Sequence, residues 1–239
     1  MGKQHADHMA TILKKYHNIT EDWEGKKYSG IDLKWYCDKR TCRATMDGYI
    51  LEIRTKYQHM HPKKSQYSPH KHRPIDYGAT QQLVQPTYTS SPLNKKVINR
   101  IQGIVGALLY VGIAFNNKLL VPLRSIGAQQ AAATEDTAVA IEKLLDYVAT
   151  YPNDGILFRK SDMILAAHAD AGFLNESRAR SRAGAHIFLS KNEPKPTLNG
   201  IVLTIAQIIQ TVMALAAEAE MAALFLTAKN MIPLRHTLI

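Results

Sequence analysis

The stretch 164-ILAAHADAGF-173 decides how the fold is interpreted. An apolar run of strand length meets a single acid, Asp170, which a small residue and a glycine follow at once. Such an acid is either a solvated loop residue or a metal-binding carboxylate carried to the tip of a buried strand. The segments on both sides of it bear on this choice.

These segments predict a sheet followed by a helix. The apolar runs GILFR and MILAAHAD, separated by polar KSD, indicate an antiparallel pair, and AGAHIFLS predicts another strand. We expect a last strand over 208–213 and a helix from about Ala216, although one continuous helix from Leu203 also fits the composition. The helix carries two acids, Glu218 and Glu220.

The N-terminal part has a different pattern. A short helix is predicted within HADHMATILKKYHNI from the spacing of its apolar residues. In YSGIDLKW, Ile31, Leu33 and Trp35 alternate with Asp32 and Lys34, which is typical of a strand with one buried face. TCRAT predicts the return strand of a β-hairpin, and MDGYILEIRTKY predicts a helix after it.

Residues 57–95 contain five prolines and show no sustained periodicity, so we expect an extended linker. The histidines form two His-x-His pairs, at 59–61 and 70–72, whose spacing is compatible with Zn²⁺. The surrounding prolines and lysines favour a solvated linker instead. Apolar residues at helical spacing then predict central helices over 97–150, one of them capped by Thr134.

The charge is unevenly distributed. The net charge is +10, and residues 1–75 hold 15 Lys and Arg against 8 Asp and Glu. A basic surface favours a polyanionic partner, nucleic acid before an anionic membrane. The two cysteines, Cys37 and Cys42, indicate a reducing, intracellular compartment, either cytoplasm or nucleus. No uncharged apolar run reaches the roughly 18 residues that a membrane span requires, so no membrane partner is expected.

Several side chains are candidates for nucleic-acid contacts. Lys63 and Lys64 in the linker, and the arginines Arg178, Arg180 and Arg182 of RARSR, can each contact phosphate without reading sequence. Solvated loops are the alternative for both groups.

Aromatic residues of the N-terminal part are candidates for base stacking. Trp23, Tyr28 and Trp35 have the ring faces on which nucleic-acid bases stack. Packing in the core of the hairpin is the alternative for all three.

Five stretches in order carry a resemblance: YSGIDLKW, IVGALLYV, HADAGF, SRAGAHIF and AAEAEMAAL. Over nearly its whole length the chain resembles the C-terminal part of a copia-type retrotransposon Pol polyprotein, from the end of the reverse transcriptase into the ribonuclease H domain. The resemblance implies an α+β fold in four parts. These are a polymerase palm-thumb remnant (1–56), a linker (57–95), connecting helices (96–154) and a partial ribonuclease H-like mixed sheet with a helix (155–239).

The resemblance also implies a site and a substrate. Asp170 and Glu220, with Glu218 as the alternative to Glu220, correspond to catalytic acids that hold two Mg²⁺ ions and cleave RNA–DNA hybrids. This requires the two carboxylates to share a cleft. The family's further Asp and the polymerase's Tyr-x-Asp-Asp motif do not occur in this sequence. We therefore expect weak or no Mg²⁺ binding, no cleavage, and an exposed edge on the strand that bears Asp170.

A second hypothesis requires no catalytic chemistry. The central helices over 97–150 would form a non-enzymatic protein-interaction module in which the acids are incidental. The oligomeric state stays open in both hypotheses.

Overall fold

A computed structural model describes residues 3–71, 90–176 and 179–238. These residues form helices and two antiparallel sheets, which confirms the predicted α+β class. The first helix, α1 (Lys3–Lys14), agrees with the helix expected there and has no buried residue. The predicted linker residues 72–89 and the candidate Arg178 lie outside the described residues.

The first sheet contains four strands in the order β1 (Lys27–Tyr28), β2 (Ile31–Tyr36), β3 (Thr41–Thr45) and β4 (Gly155–Arg159). The hairpin predicted from YSGIDLKW and TCRAT is confirmed as β2 and β3, joined by a 3-10 turn. The predicted pairing of GILFR with MILAAHAD is wrong, since GILFR is β4 and pairs with β3. The pairing places Ile156 beside Ala44, so that β4 extends the apolar side of the hairpin.

The main core lies between this sheet and four helices: α2 (Asp47–Lys56), α3 (Lys95–Ala114), α4 (Leu120–Gly127) and α5 (Glu135–Thr150). Fully buried residues come from each of the central helices α3, α4 and α5 and from the residue before α2; examples are Met46, Ile101, Leu108, Leu123 and Leu144. Thr134 precedes α5 as predicted, and its backbone N–H donates to Thr137 Oγ1 at 3.1 Å. The apolar stripes of the central helices are therefore buried within this chain.

α3 is long and apolar enough to cross a membrane by length and composition alone. The same is true of many core helices, and Ile101, Ile104 and Leu108 of α3 are fully buried in the main core. Packing against the other helices accounts for this apolar stripe.

The second sheet contains β5 (Ile164–Glu176), β6 (Arg180–Ser190) and β7 (Ile201–Ile208) in that order, and α6 (Ala216–Thr237) packs on one face of it. The predicted order of strands followed by a helix from Ala216 is confirmed. The strand expected over 208–213 is wrong, because β7 covers Ile201–Ile208 and the chain leaves the sheet after Ile209, whose N–H makes a last bond to Ser181 O of β6 at 2.8 Å.

Within the described residues the second sheet is antiparallel throughout rather than mixed, and β5 is one of its edges. The expectation of an exposed edge at the strand that bears Asp170 is thereby confirmed. Thirteen residues of β5 present one side of their backbone without a neighbouring strand among the described residues.

The two sheets are joined by a few polar side chains. Asn199, in the loop before β7, accepts the N–H of Arg159 on β4 at 2.8 Å. Its Nδ2 donates to the backbone oxygens of Arg159 and Leu189. The division between residues 154 and 155, which the resemblance implies, falls immediately before a strand that belongs to the first sheet.

Candidate nucleic-acid interface

Asp170 lies in the middle of β5, not at its tip, because the strand continues to Glu176. Ala167 and Ala171 lie on the face of β5 that packs with residues of α6. Side chains alternate along a strand, so Asp170 projects from the opposite face. It is exposed, and its cross-strand partner is Gly184.

The two acids of α6 stand on the other side of the sheet. Glu220 is exposed, and Glu218 Oε2 accepts the backbone N–H of Ala214 at 2.8 Å, which satisfies a donor at the start of the helix. The structure thus does not bring Asp170 together with either glutamate. Among the described residues, no group of three or more His, Cys, Asp or Glu side chains is placed to hold a metal ion.

Arg182 is buried, and its guanidinium binds two groups of the second sheet. Its Nε lies 2.5 Å from Glu176 Oε1, and its Nη1 donates to Ala206 O at 3.2 Å. A guanidinium held in this way is not available to phosphate. Arg180 is half-buried, and its Nη1 lies 3.4 Å from Gln210 Oε1. Lys63 and Lys64 are exposed, as predicted.

His59 contradicts the expectation of a solvated linker at this position. Its side chain is only 8% exposed and lies between two acids of α5, with Nδ1 3.2 Å from Glu142 Oε2 and Nε2 2.9 Å from Asp146 Oδ1. Arg100 on α3 contacts Glu142 Oε1 at 2.8 Å and completes the cluster. The two ring nitrogens lie within hydrogen-bond distance of different carboxylates, so these side chains form a hydrogen-bonded network, and no metal-binding group of three or more His, Cys, Asp or Glu occurs in the described part of the chain.

One face of the first sheet carries a row of cations. Lys34 on β2 and Arg43 on β3 are cross-strand partners, and Arg159 on β4 lies in the adjacent row beside Thr41 and Tyr36. Alternation along the strands places all of them on the same side, and the three cations are exposed. We call Lys34, Tyr36, Thr41, Arg43, Leu157 and Arg159 the basic sheet face.

The cations of this face are not neutralised by neighbours. Lys34, Arg43 and Arg159 form no ion pair with any residue that the structure describes. The acid at the far end of the same face, Asp32, lies 3.6 Å from Lys27. Arg43 is oriented by a bond from its Nη2 to Asn153 O at 2.8 Å. The arrangement leaves a net positive surface on the sheet.

Further cations extend the positive surface beyond the ends of the strands. Lys39 and Arg40 occupy the turn between β2 and β3, and Lys160 follows β4. The N–H of Lys160 donates to Arg40 O at 3.0 Å, which holds the turn and the end of β4 together. All three side chains are exposed.

The aromatic residues of this region are on the surface, so the alternative of core packing in the hairpin is wrong for them. Trp23, Tyr28 and Trp35 are 54%, 69% and 57% exposed. Trp35 is held in place because its Nε1 donates to Gly25 O at 2.7 Å. Together with Lys34 and Tyr36 it lines an open groove of about 690 Å³, whose lining also includes the three acids Glu24, Asp32 and Asp47.

The basic sheet face was missed at the level of sequence. Alternation predicted that Lys34 points away from the apolar side of β2, and Arg43 has the same position in TCRAT. What the sequence lacked was the pairing of β4 with β3, a contact between segments about 110 residues apart, which adds Arg159 to the row.

A second polar cluster lies on the face of the second sheet that is opposite to α6. His168 stacks on Phe188 with ring centroids 5.2 Å apart, and His186 Nδ1 lies 3.4 Å from Asn117 Nδ2 and from Thr204 Oγ1. Burial lowers the pKa of His186 below its ordinary value of 6.5, and neighbouring His168 lowers it further. His186 thus has a structural position between the second sheet and Asn117, in the 3-10 turn before α4.

The chain was also compared with known proteins. It matches no family model, no curated protein and no solved structure.

Proposed function

We propose that this chain binds nucleic acid through the basic sheet face, without reading sequence and without cleaving its ligand. The observation that carries the proposal is the row of Lys34, Arg43 and Arg159 on one exposed face with no ion-paired partner among the described residues. Phosphates spaced along a nucleic-acid strand are the natural counter-ions of such a row.

The charge repulsion within the basic sheet face also favours a bound ligand. Like charges directly opposite each other on neighbouring strands destabilise a sheet. Lys34 and Arg43 are such a pair, and the next cations, Lys39 and Arg40, lie in the adjoining turn. A polyanion that lies across the face would offset this repulsion.

One aromatic side chain suits the same ligand. Tyr36 is 44% exposed and belongs to the basic sheet face, whereas Trp35 projects from the opposite face of β2. An exposed ring beside a row of cations provides a stacking platform for an unpaired base. The proposed ligand is therefore a single strand or the open end of a duplex, held by its backbone.

We further propose that the chain corresponds to the end of the reverse transcriptase and the partial ribonuclease H region of a copia-type Pol polyprotein. The support is the order of elements: a hairpin and helix, central helices, then three antiparallel strands followed by a helix. In this proposal cleavage of RNA–DNA hybrids is absent. Asp170 and the acids of α6 lie on different sides of the second sheet and do not form a two-metal site.

The protein-interaction hypothesis for residues 97–150 has less support. The apolar side chains that would contact a partner are in the main core, and Leu108 is fully buried. Leu108→Asp would unfold the core before it tested any interface.

The test is fluorescence anisotropy with labelled single-stranded DNA, duplex DNA and an RNA–DNA hybrid. We expect the double variant Lys34→Glu/Arg43→Glu to lose most of its affinity for all three ligands. The charge-matched control is Lys191→Glu/Lys195→Glu, at two exposed lysines in the loop between β6 and β7, and it should lose little. Equal losses for the double variant and for the control, corrected for net charge, would reject the basic sheet face as the site.

A further inference from the structure

The outer face of α6 carries an exposed apolar stripe. Met221, Phe225 and Ile232 are 72%, 67% and 59% exposed, whereas Ala219 and Ala223, on the opposite side of the helix, are buried against the second sheet. α6 is therefore apolar on two sides, of which only one is covered by the described residues. Large apolar side chains in a row on a helix indicate a contact surface.

The spacing of the stripe is that of a coiled-coil seam. Met221, Phe225, Ala228 and Ile232 follow each other at intervals of four, three and four residues. This spacing places them at alternating a and d positions of a heptad, on the side where a second helix packs. The seam lies well away from the side that faces the sheet.

The seam ends in opposite charges. Glu218 continues it three residues before Met221, and Arg235 continues it three residues after Ile232. Both side chains are exposed. The acid and the base are equally far from the middle of the stripe, which falls between Leu226 and Thr227.

The equal distances of Glu218 and Arg235 from the middle of the stripe indicate that the partner helix is a second copy of α6. When a second α6 is placed antiparallel over the same midpoint, Glu218 faces Arg235 of the second copy and Met221 faces Ile232. Phe225 faces Ala228, so that a large side chain meets a small one in each central layer. A two-fold axis repeats every layer, as an isologous interface requires.

We propose that two copies of this chain associate through an antiparallel pair of α6 helices, with the seam Glu218, Met221, Phe225, Ala228, Ile232 and Arg235 as the interface. Binding to a different protein would not require the acid and the base to lie at equal distances from the middle of the seam. The self-complementary charge is therefore what favours a second copy. The inference does not depend on nucleic-acid binding.

Pro233 is compatible with this arrangement. It lies within α6, and the helix continues to Thr237. In the heptad it falls on a flank, next to Ile232 but off the seam. Its missing N–H costs one hydrogen bond to the preceding turn, and its ring does not occupy a seam position.

The first test is sedimentation equilibrium of the full chain. We expect a monomer–dimer equilibrium that Phe225→Asp shifts to monomer, because a charge would then lie in the central layer. Val139→Asp on α5 is the matched control: Val139 is apolar, on a helix and 68% exposed, but off the seam. It should leave the equilibrium unchanged.

The second test reverses the charges. Glu218→Arg and Arg235→Glu should each raise the dissociation constant about tenfold, and the two together should restore it, because each dimer then contains two inverted pairs. Glu218→Gln keeps the bond to the N–H of Ala214 and separates helix capping from the pair. Glu220→Arg, off the seam, should have no effect.

Three results would overturn the proposal. The first is a wild-type chain that stays monomeric at about 100 μM. The second is a dimer that Phe225→Asp leaves intact, which would place the interface elsewhere, for example at the open edge of β5. The third is a double reversal as weak as its single variants, which would exclude the antiparallel register.

Discussion

Lys34 and Arg43 are direct cross-strand partners on β2 and β3, and both side chains project from the solvent face of the first sheet. A pair of like charges in this position weakens the sheet. The same face and the adjoining turn nevertheless carry the further cations Arg159, Lys39 and Arg40, against one acid at the far end of the face, Asp32, and one in the turn, Asp38. Stability and nucleic-acid binding should therefore respond in opposite directions to a change at this pair.

The substitution Arg43→Glu tests whether stability and nucleic-acid affinity change in opposite directions. The substitution turns a repulsive pair into an attractive one, so we expect Arg43→Glu to be more stable than Arg43→Gln by about 0.5 kcal/mol in urea unfolding. Both variants lose the guanidinium bond to Asn153 O, so the comparison isolates the charge. Affinity for nucleic acid should fall in both, further in Arg43→Glu. A glutamate variant less stable than the glutamine variant would contradict the repulsive pair.

Asp170→Asn should leave the behaviour of the chain toward RNA–DNA hybrids unchanged. Asp170 is exposed in the middle of β5, on the face opposite to α6, and among the described residues no group of three or more His, Cys, Asp or Glu side chains is placed to hold a metal ion. Incubation with a labelled hybrid and Mg²⁺, followed on a denaturing gel, should show no cleavage for either protein. Cleavage by the wild type that disappears in Asp170→Asn would establish the nuclease.

Arg182→Ala should destabilise the fold by about 2 to 3 kcal/mol, because it leaves the carboxylate of Glu176, whose side chain is only 17% exposed, without its partner. Urea denaturation measures the loss. The paired variant Arg182→Leu/Glu176→Leu should recover most of it, since no unpaired charge is then buried. A small loss in Arg182→Ala together with a large loss of nucleic-acid affinity would show instead that this arginine is a ligand contact.

His186 should make the fold less stable in mild acid. Its pKa is lowered in the native state, so the unfolded chain binds the proton more readily than the native chain. The contribution is fully present above pH 6.5 and is lost as the pH falls below that value. We expect His186→Gln to lose less stability than the wild type between about pH 7.5 and 5 in urea unfolding. Identical losses would contradict this assignment.

The local parts of the fold follow from the sequence. Alternation in YSGIDLKW predicted β2, the helical spacing of Ile141, Leu144 and Leu145 predicted α5, and the order of strands before α6 was predicted as well. Each of these depends on neighbours a few residues away. Periodicity reports which face is buried, and this is sufficient for a hairpin or a helix.

The pairing of distant strands and the extent of β5 do not follow from the sequence. The sequence predicts that GILFR pairs with the neighbouring strand MILAAHAD. GILFR is instead β4 and pairs with β3, from which the central helices separate it in the sequence. Asp170 was placed at a strand tip because the glycine after it suggested a turn, but the strand continues to Glu176. The prediction of the Asp170 site failed for a related reason. Which face a long strand turns toward a helix depends on register, and a shift of one residue inverts every side chain.

The most direct measurement is the salt dependence of binding. If the basic sheet face neutralises phosphates, the logarithm of the association constant should fall linearly with the logarithm of the salt concentration. The slope for Lys34→Glu/Arg43→Glu should be shallower than the wild-type slope by about 2, one for each lost phosphate contact. Equal slopes for the two proteins, or wild-type binding that does not change with salt, would contradict the proposed interface.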